Sequence, residues 1–508
     1  MRVKNLLLLA AMLPIGVFGQ KKLTKFYAES ITPGDLKKHL EVIAGDSLQG
    51  RETGTLGQRM AAEYIENHFK ALGLDPAFGS SYQQEFGIDL IKPATVGLAF
   101  DEDNFSFPDN LIYLGSVSNQ TFDFSEVVYV GYGVDDSLYS SYENLDVKDK
   151  VILMLAGEPK DNDGNYVLSN AKSPSIWSRN PSYKISAARK RGAKLIIEVN
   201  PEFDTMLARY QRFLMRTRVS LERKSEEIEA SYVIGNQDLL KKLAGIDFDA
   251  LAKVDRGSVF THDTCAFSYK SNSEKGVSSN VGGIIKGSEF PDQYLVITAH
   301  YDHLGMNDSL IFNGADDDGS GTVSVLELAE AFQMASYEGH RPKRSILFLL
   351  VSGEEKGLLG SEYFTDNPSI DLSKTICNLN IDMVGRVDNE HLQNPNYVYV
   401  IGSDMLSDEL KEINEKSNKE SVKISLDYRY DDPNDPNRFY YRSDHYNFAK
   451  NNIPVAFFFN GVHADYHKAT DTVEKINFDK MTKINKLVFT TAWKLAHRDE
   501  LLPLNAVK

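Results

Sequence analysis

Apolar runs in the second half of the chain are uniform rather than alternating. "YLVITAH", "SILFLLVSG", "ICNLNIDMVG" and "IPVAFFFNG" are apolar on both faces, and helical patterns lie among them at 320–336, 405–418 and 476–497. Strands that are apolar on both faces are covered on both sides, as in parallel α/β sheets. The pattern predicts an α/β fold with a mixed, largely parallel central sheet flanked by helices.

The first half of the chain divides into two patterns. Residues 33–75 have the three- and four-residue apolar spacing of helices, whereas 105–270 are richer in strands, such as "VVYVGYGV" and "KVILMLAG". That segment ends near "YKSNSEKGVSSN", a polar stretch typical of a join between domains. We predict a domain formed by 20–104 and 273–508, with 105–272 inserted as a second, β-rich domain.

The N-terminus has the features of a secretory signal. Arg2 and Lys4 precede an apolar run at 6–18, which is shorter than the ~20 residues that span a bilayer. Small residues stand before Gln20, so we predict a cleaved signal peptide at 1–19 and an exported protein, periplasmic or secreted. A membrane anchor is the alternative, and no other stretch is apolar and long enough to span a membrane.

Charge and cysteine content exclude some classes of protein. The formal net charge is −16, which argues against nucleic acid as a partner. Cys265 and Cys377 are the two cysteines of the 508-residue chain, too few for a disulfide scaffold. Cys377 stands in an apolar run and is predicted to be a buried thiol, with a disulfide to Cys265 as the open alternative.

Acidic residues and histidines follow the predicted strands, and ligands of open α/β sheets gather at the carboxyl ends of strands. His300 and Asp302 are two residues apart, so the aspartate can hydrogen-bond the histidine ring and orient it. Three consecutive aspartates precede a Gly-Ser-Gly turn and a helix. One aspartate suits a helix cap, but three repel one another, which predicts a carboxylate bridging metal ions, with Asp318 as a cap or supporting residue.

The remaining strands end in further candidates. Glu354 and Glu355 are adjacent after an apolar run, an arrangement that is explained if one binds a metal and the other accepts a proton from water. Asp382 ends an apolar strand, where a lone carboxylate is costly unless it is paired or bound to metal. His467 follows the last strand, next to Tyr466.

Two histidines and three carboxylates suit a pair of divalent ions that share one bridging ligand. Histidine and carboxylate at low coordination number favour zinc. The sequence contains no HExxH, GxSxG, P-loop, GxGxxG or CxxC motif, which removes the usual competing chemistries.

The order of these motifs resembles the two-zinc aminopeptidase family, which includes bacterial leucyl aminopeptidases, glutamate carboxypeptidase and the plasma-type carboxypeptidases. The resemblance covers roughly 30–75 and 275–500, and it implies two Zn²⁺ per chain. It implies the following roles: His300 and Asp382 on one zinc, Glu355 and His467 on the other, Asp317 as bridge, Glu354 as general base, Asp302 as partner of His300, and Tyr466 as oxyanion donor. It also implies a cis peptide at Asp317–Asp318.

Other segments carry weaker predictions. The middle segment resembles a protease-associated domain in "DVKDKVILMLAGEP" and "KISAARKRGAKLIIEV". "RSDHYNF" also resembles a family motif, in which Asp444 and His445 are expected to shape the pocket floor. The Asp-, Asn- and Pro-rich stretch 428–443 is predicted to be a surface loop, with Ca²⁺ binding as the alternative.

The resemblance implies a metallo-exopeptidase acting on peptides with a free N-terminus. A carboxypeptidase or dipeptidase using the same metal site is the alternative, because specificity depends on loops that the pattern does not place. A glutaminyl cyclase and a non-catalytic receptor-like protein are more distant alternatives, and both are at odds with a complete set of ligands.

Overall fold

The computed structural model describes residues 19–506, except for 101–102, 115–118, 223–229, 308 and 433. Apart from residue 19, the predicted signal peptide lies outside the described residues, so export stays a prediction from sequence. The chain divides into two compact units. The first combines the residues up to Ile88 with those from Gly276 onward, and the second is Asp89–Lys275.

The elements of the described residues are numbered in chain order. The α-helices are α1 Gln20–Ala28, α2 Pro33–Ile43, α3 Leu56–Leu72, α4 Ile176–Arg179, α5 Ser182–Lys190, α6 Phe203–Leu214, α7 Gln237–Ala244, α8 Phe248–Leu251, α9 Gly321–Tyr337, α10 Leu359–Asp366, α11 Asp408–Glu420, α12 His445–Lys450 and α13 Phe478–His497. The strands are β1 Asp75–Pro76, β2 Gln83–Phe100, β3 Asp103–Ser106, β4 Leu111–Leu114, β5 Gln120–Tyr129, β6 Val151–Leu155, β7 Leu195–Val199, β8 Arg218–Leu221, β9 Ser231–Gly235, β10 Val259–Ile285, β11 Phe290–His300, β12 Gly305–Asn307, β13 Leu310–Phe312, β14 Arg344–Val351, β15 Thr375–Ile381, β16 Tyr397–Ile401, β17 Ser425–Asp427 and β18 Val455–Phe459.

The first unit is built on a mixed sheet whose strands follow the order β17-β16-β18-β15-β11-β14, next to the end of β10. The four strands β18, β15, β11 and β14 are parallel to one another. At the two sides of this group, β16 is antiparallel to β18 and parallel to β17, and β10 is antiparallel to β14. The predicted fold class is therefore confirmed. The four parallel strands are the four apolar runs of the sequence, and their carboxyl ends lie at one edge of the sheet.

Both faces of this sheet are covered, which explains the uniform apolar runs. Along β14, Ile346 and Phe348 belong to the core shared with α9 and α13, and the alternate Leu347 and Leu349 pack with residues of α10 and α12. Successive side chains of a strand point to opposite faces, so each face needs its own apolar set.

The N-terminal helices begin and end at residues typical of helix caps. The Thr55 hydroxyl accepts a hydrogen bond from the Gln58 amide at the start of α3, and Gly73 ends that helix with a φ of +71°. Ile65 and Phe69 of α3 join the core of the first unit. The predicted helices within 33–75 are present as α2 and α3.

The second unit contains both strands and helices. Its strands follow the order β10-β5-β6-β7-β9-β4, with β5, β6, β7 and β9 parallel to one another. Helices α4–α8 accompany these strands, and the unit has its own apolar core. Its assignment as a protease-associated domain stays a prediction.

The polar stretch "YKSNSEKGVSSN", predicted as a join between domains, contains the boundary between the two units at Lys275 and Gly276. It lies within the long strand β10, where most of residues 270–277 are exposed. Polarity there reports solvent exposure and not a break in the backbone. The boundaries of the second unit, Asp89 and Lys275, lie inside β2 and β10.

Two further predictions concern the described residues. Cys377 is a buried free thiol in β15, so a disulfide with Cys265 is not formed, and burial raises the pKa of the Cys377 thiol. None of the helices described here combines the length and the apolar character needed to cross a bilayer.

Candidate metal centre

The candidate residues gather at the carboxyl edge of the parallel strands. His300 is the last residue of β11, Glu354 and Glu355 form a 3₁₀ turn after β14, and Asp382 follows β15. Asp317 lies in a π-helical turn, Ala315–Ser320, that leads into α9. The sequence prediction that the strand ends converge is thus matched by the positions of these side chains.

The first group of donors consists of His300, Asp317 and Asp382. His300 Nε2 lies 3.4 Å from Asp317 Oδ1 and 3.7 Å from Asp382 Oδ1. The second oxygen of Asp382 accepts a 2.6 Å hydrogen bond from the Ser443 hydroxyl, which fixes the carboxylate. One atom from each of these three residues can therefore contact a single ion.

A second group of donor atoms surrounds the other carboxylate oxygen of Asp317. His467 Nε2 is 3.1 Å from Asp317 Oδ2 and 3.1 Å from Glu355 Oε2. His303, which the sequence analysis passed over, places Nδ1 2.8 Å from Glu355 Oε1 and 3.8 Å from Asp317 Oδ2. Asp317 is thus shared by both groups, one oxygen on each side, as expected for a bridging ligand.

The three consecutive aspartates have different partners, which explains how they coexist. Asp318 accepts hydrogen bonds from the backbone amides of His300, Gly321 and Met383. Asp316 accepts from the Gly385 amide at 2.6 Å and from the Asn460 side chain at 3.1 Å. Only Asp317 faces both donor groups. The Asp317–Asp318 peptide is cis, as predicted.

Asp302 holds His300 in a different way from the one predicted. His300 Nδ1 donates to the backbone carbonyl of Asp302 at 3.1 Å, while the nearer carboxylate oxygen is 3.7 Å away. The carboxylate instead accepts hydrogen bonds from the Thr53 hydroxyl at 2.8 Å and the Glu354 amide at 3.2 Å. Both contacts leave His300 Nε2 directed at the donor group, and the carboxylate positions the turn that carries Glu354.

Glu354 and Tyr466 line a cleft next to the donors, together with Phe439, Arg442 and Val462. Glu354 Oε2 is 3.8 Å from His300 Nε2, yet Glu354 belongs to neither donor group. The Tyr466 ring stacks on His467, with 3.8 Å between centroids. Burial, followed by nearby carboxylates, raises the pKa of Tyr466, so its phenol keeps its proton.

The donor atoms fit a metal ion because several are buried without a hydrogen-bond partner. Among them are His300 Nε2, Asp317 Oδ2 and Glu355 Oε1, as well as both ring nitrogens of His303. An unpartnered buried polar atom is costly, so native structures pair such atoms with protein, water or ions. Nitrogen and carboxylate donors at these spacings suit zinc.

The electrostatics of the cluster follow from its excess of carboxylates. Burial alone lowers the pKa of His300, but the surrounding carboxylates, led by Glu354, raise it well above its ordinary value. Burial likewise opposes the charge of Asp317, while hydrogen bonds with His300 and His467 hold its pKa well below the usual range. The cluster concentrates negative charge that cations must balance, and metal ions compete with protons for these atoms.

Two buried residues that the sequence analysis did not assign support the bridging turn. Asp471 Oδ2 accepts hydrogen bonds from the Asp316 and Asp317 amides at 2.9 and 3.2 Å. Arg51 lies between α2 and α3 and donates to the carbonyls of Tyr301, Ile43, Asn313 and Gly314 at 2.6–3.1 Å. Burial lowers the pKa of Arg51 to about 10, so it remains a cation at neutral pH.

Arg51→Ala should strongly destabilise the first unit. The substitution leaves the buried carbonyls of Tyr301 and Gly314 without their donor, and removes a cation close to the acidic cluster. We expect the free energy of unfolding to fall by about 3–5 kcal/mol, the range for breaking a buried charged contact. Urea denaturation measures this, with the exposed Arg59→Ala as control; a loss equal to that of the control contradicts the role of Arg51.

The residues expected to shape the pocket floor are buried but lie outside the donor groups. Burial raises the pKa of Asp444 to about 7 and lowers that of His445 to about 3. The His445 ring stacks on Phe457, a residue of the cleft wall, with 4.6 Å between centroids. Their role in the pocket stays a prediction.

The loop 428–443 is rich in turns, as predicted. Asp432 and Asp435 accept hydrogen bonds from backbone amides two residues ahead, at 2.8 and 3.0 Å. Asp431 accepts from the Gly402 amide. Backbone amides therefore donate hydrogen bonds to these carboxylates, and Ca²⁺ binding stays an untested alternative.

The fold and the site define an α/β protein with clustered metal donors at the carboxyl edge of its central sheet. Residues 280–492 match the model of peptidase family M28. The match covers this part of the chain, and it agrees with the resemblance that the order of the sequence motifs indicated.

Two curated relatives are similar to parts of this chain. A probable zinc metalloprotease of Pyrenophora tritici-repentis (strain Pt-1C-BFP) is 28% identical over 260 residues, covering 43% of this chain and 51% of the relative. A probable glutamate carboxypeptidase of Zea mays is 33% identical over 131 residues, covering 25% of this chain and 17% of the relative. The chain thus spans about half or less of the length of these relatives.

Among solved structures, the fold is similar to that of an aminopeptidase from Aneurinibacillus sp. strain AM-1. The TM-score is 0.52 and the identity 18%, with 96% of this chain and 98% of the other covered. At this identity the likeness concerns the fold.

Proposed function

We propose that the chain is a zinc-dependent exopeptidase that removes N-terminal residues from peptides, with two zinc ions and Glu354 as general base. The observation that carries the proposal is the position of Glu354. Its carboxylate lies 3.8 Å from His300 Nε2, faces the cleft and is a member of neither donor group. The match of 280–492 to the model of peptidase family M28 and the similarity to a probable zinc metalloprotease support the choice of metal and reaction.

The residues of the two donor groups would hold the ions. His300 and Asp382 would bind one ion, Glu355 and His467 the other, and Asp317 both. Divalent zinc supplies Lewis acidity toward a carbonyl oxygen and makes water more acidic.

The side chains of the cleft supply proton transfer and stabilisation of charge. Glu354 accepts the proton of the attacking water and returns it to the leaving amine, as a general base and then a general acid. The Asp302 carboxylate keeps Glu354 in place through the 3.2 Å hydrogen bond from the Glu354 amide. The protonated phenol of Tyr466 donates a hydrogen bond to the oxyanion that forms on the substrate carbonyl.

Charge in the cleft favours a substrate with a free amino group. Asp317 and Asp382 line it but would be balanced by the ions, so Glu354 is the carboxylate of the lining whose charge remains to attract an α-ammonium group. This supports cleavage at the N-terminus.

A carboxypeptidase is the second candidate, and one residue favours it. Arg442 also lines the cleft, and its guanidinium lies 3.5 Å from the Tyr466 hydroxyl. Arginine is well suited to bind a terminal carboxylate through two hydrogen bonds. The similarity to a probable glutamate carboxypeptidase of Zea mays points in the same direction.

A panel of short peptides with free, N-acetylated or C-amidated ends separates the two candidates. We expect hydrolysis to require a free N-terminus, to tolerate C-amidation, to stop with chelator and to return with zinc. Arg442→Ala should leave this activity largely unchanged. Cleavage that needs a free C-terminus and is lost in Arg442→Ala establishes the carboxypeptidase instead, and no cleavage of any peptide by zinc-loaded protein contradicts both.

A further inference from the structure

A second cluster of histidine and glutamate side chains lies on the helices of the first unit. His39 is on α2, His68 is on α3, and Glu327 and Glu330 are one turn apart on α9. His39 Nε2 lies 3.4 Å from Glu330 Oε1 and 3.8 Å from Glu327 Oε1. His68 Nε2 lies 3.2 Å from the same Glu330 oxygen. Three separate helices therefore direct donor atoms at one point.

The spacing of these atoms matches the ligands of one tetrahedral ion. Zinc binds nitrogen and oxygen at 2.0–2.2 Å, so two ligands of a tetrahedral ion are ~3.4 Å apart. The three distances between the histidine nitrogens and the glutamate oxygens, 3.2, 3.4 and 3.8 Å, lie around that value. The ligand atoms of His39, His68 and Glu330 all lie within 4.8 Å of one another, as do those of the first donor group of the metal centre.

Two of the donor atoms are buried and have no hydrogen-bond partner. They are His68 Nε2 and Glu327 Oε1, and the Glu327 side chain is only 2% exposed. A buried, unpartnered carboxylate oxygen is costly without a cation. The other ring nitrogen of His39 contacts the Tyr64 hydroxyl at 2.7 Å, which orients the ring as partners of metal-binding histidines do.

A simple ion-pair cluster explains these contacts less well. Contacts between Glu330 and the two histidines leave the buried Glu327 Oε1 without any hydrogen-bond partner. A divalent ion balances both carboxylates and uses the neutral imidazole nitrogen.

We propose that His39, His68 and Glu330 bind one divalent transition-metal ion, zinc by the chemistry of its donors, at a site separate from the metal centre. Glu327 Oε1, 3.8 Å from His39 Nε2, lies beside this site and adds its negative charge to it. The ion ties α2 and α3 to α9, the helix that follows the bridging turn of Asp317.

Metal content measures this site directly when the metal centre is disabled. The full chain with Asp317→Asn is loaded with zinc, dialysed and analysed by elemental mass spectrometry. We expect one ion per chain in Asp317→Asn and none in Asp317→Asn with His68→Gln. The matched control, His262→Gln in the Asp317→Asn background, replaces a histidine of the second unit and should keep the ion.

Two results overturn the proposal. The first is an Asp317→Asn chain that is folded and holds no zinc. This result is obtained with the helical cluster unchanged, so it does not depend on whether the His68 variant folds. The second is a zinc content that stays at one when His68 is replaced. Neither result bears on peptide hydrolysis by the wild-type chain, so this inference and the proposed function are tested separately.

Discussion

Glu354→Gln is expected to abolish nearly all peptide hydrolysis while the metal content stays that of the wild type. The glutamine has the shape of glutamate but cannot accept a proton from water. General-base catalysis typically contributes ~10²–10⁴-fold to the rate, and turnover should fall within or beyond that range. Because Glu354 belongs to neither donor group, zinc should remain bound.

The measurement compares turnover and zinc per chain for Glu354→Gln and for a control, Glu362→Gln. Glu362 lies on α10 and is not one of the donor residues. The control should have wild-type turnover. A Glu354→Gln variant that loses less than about tenfold in turnover contradicts the role of general base, and one that loses zinc reassigns Glu354 as a ligand.

Asp317→Asn is expected to remove two zinc ions per chain relative to the wild type, and hydrolysis with them. Asp317 Oδ1 lies 3.4 Å from His300 Nε2, and Oδ2 lies 3.1 Å from His467 Nε2, so each oxygen serves a different group. An asparagine carries no charge and offers one oxygen in place of two. A bridge is thereby lost for both ions at once.

His467→Gln provides the comparison, because His467 belongs to one side only and should lose one ion. Asp366→Asn, an exposed aspartate at the end of α10, should lose none. Zinc per chain after dialysis gives the result. If Asp317→Asn and His467→Gln lose the same number of ions, Asp317 does not bridge.

Much of the fold was predictable because the sequence pattern reports burial. The uniform apolar run of β14 indicated a strand covered on both faces, and its alternate residues do pack into two cores. The polar stretch of β10 contains the boundary between the two units, as its composition indicated. That this stretch is also part of a strand was not predictable, because composition alone does not distinguish an exposed strand from a loop.

The site residues were predictable where charged side chains stand next to one another or follow an apolar strand. Three adjacent aspartates, or a carboxylate after an apolar strand, need a partner, and this directed attention to Asp317, Glu355 and Asp382. The sequence did not reveal which groups bind each of these carboxylates. Backbone amides hold Asp316 and Asp318, which depends on the path of the chain and not on residue type.

Other residues were missed because their contacts form only in the folded chain. His303 was visible beside Asp302, yet its contact with Glu355 depends on the turn after β14. Arg51 reads as an ordinary surface arginine until helices α2 and α3 pack against the loop at 313–314. The whole inserted unit lies between His39 and Glu330 in the sequence, and no local pattern connects them.

The division of the chain has a consequence for its synthesis. The first unit takes its first helices from before Ile88 and its sheet from after Gly276, whereas the second unit is continuous. Domains generally fold as units while the chain emerges from the ribosome, N-terminal ones first. Here the middle of the protein is complete before its beginning. Helices α1–α3, and Arg51 between α2 and α3, can therefore pack into the first unit only after the strands from Gly276 onward have been synthesised.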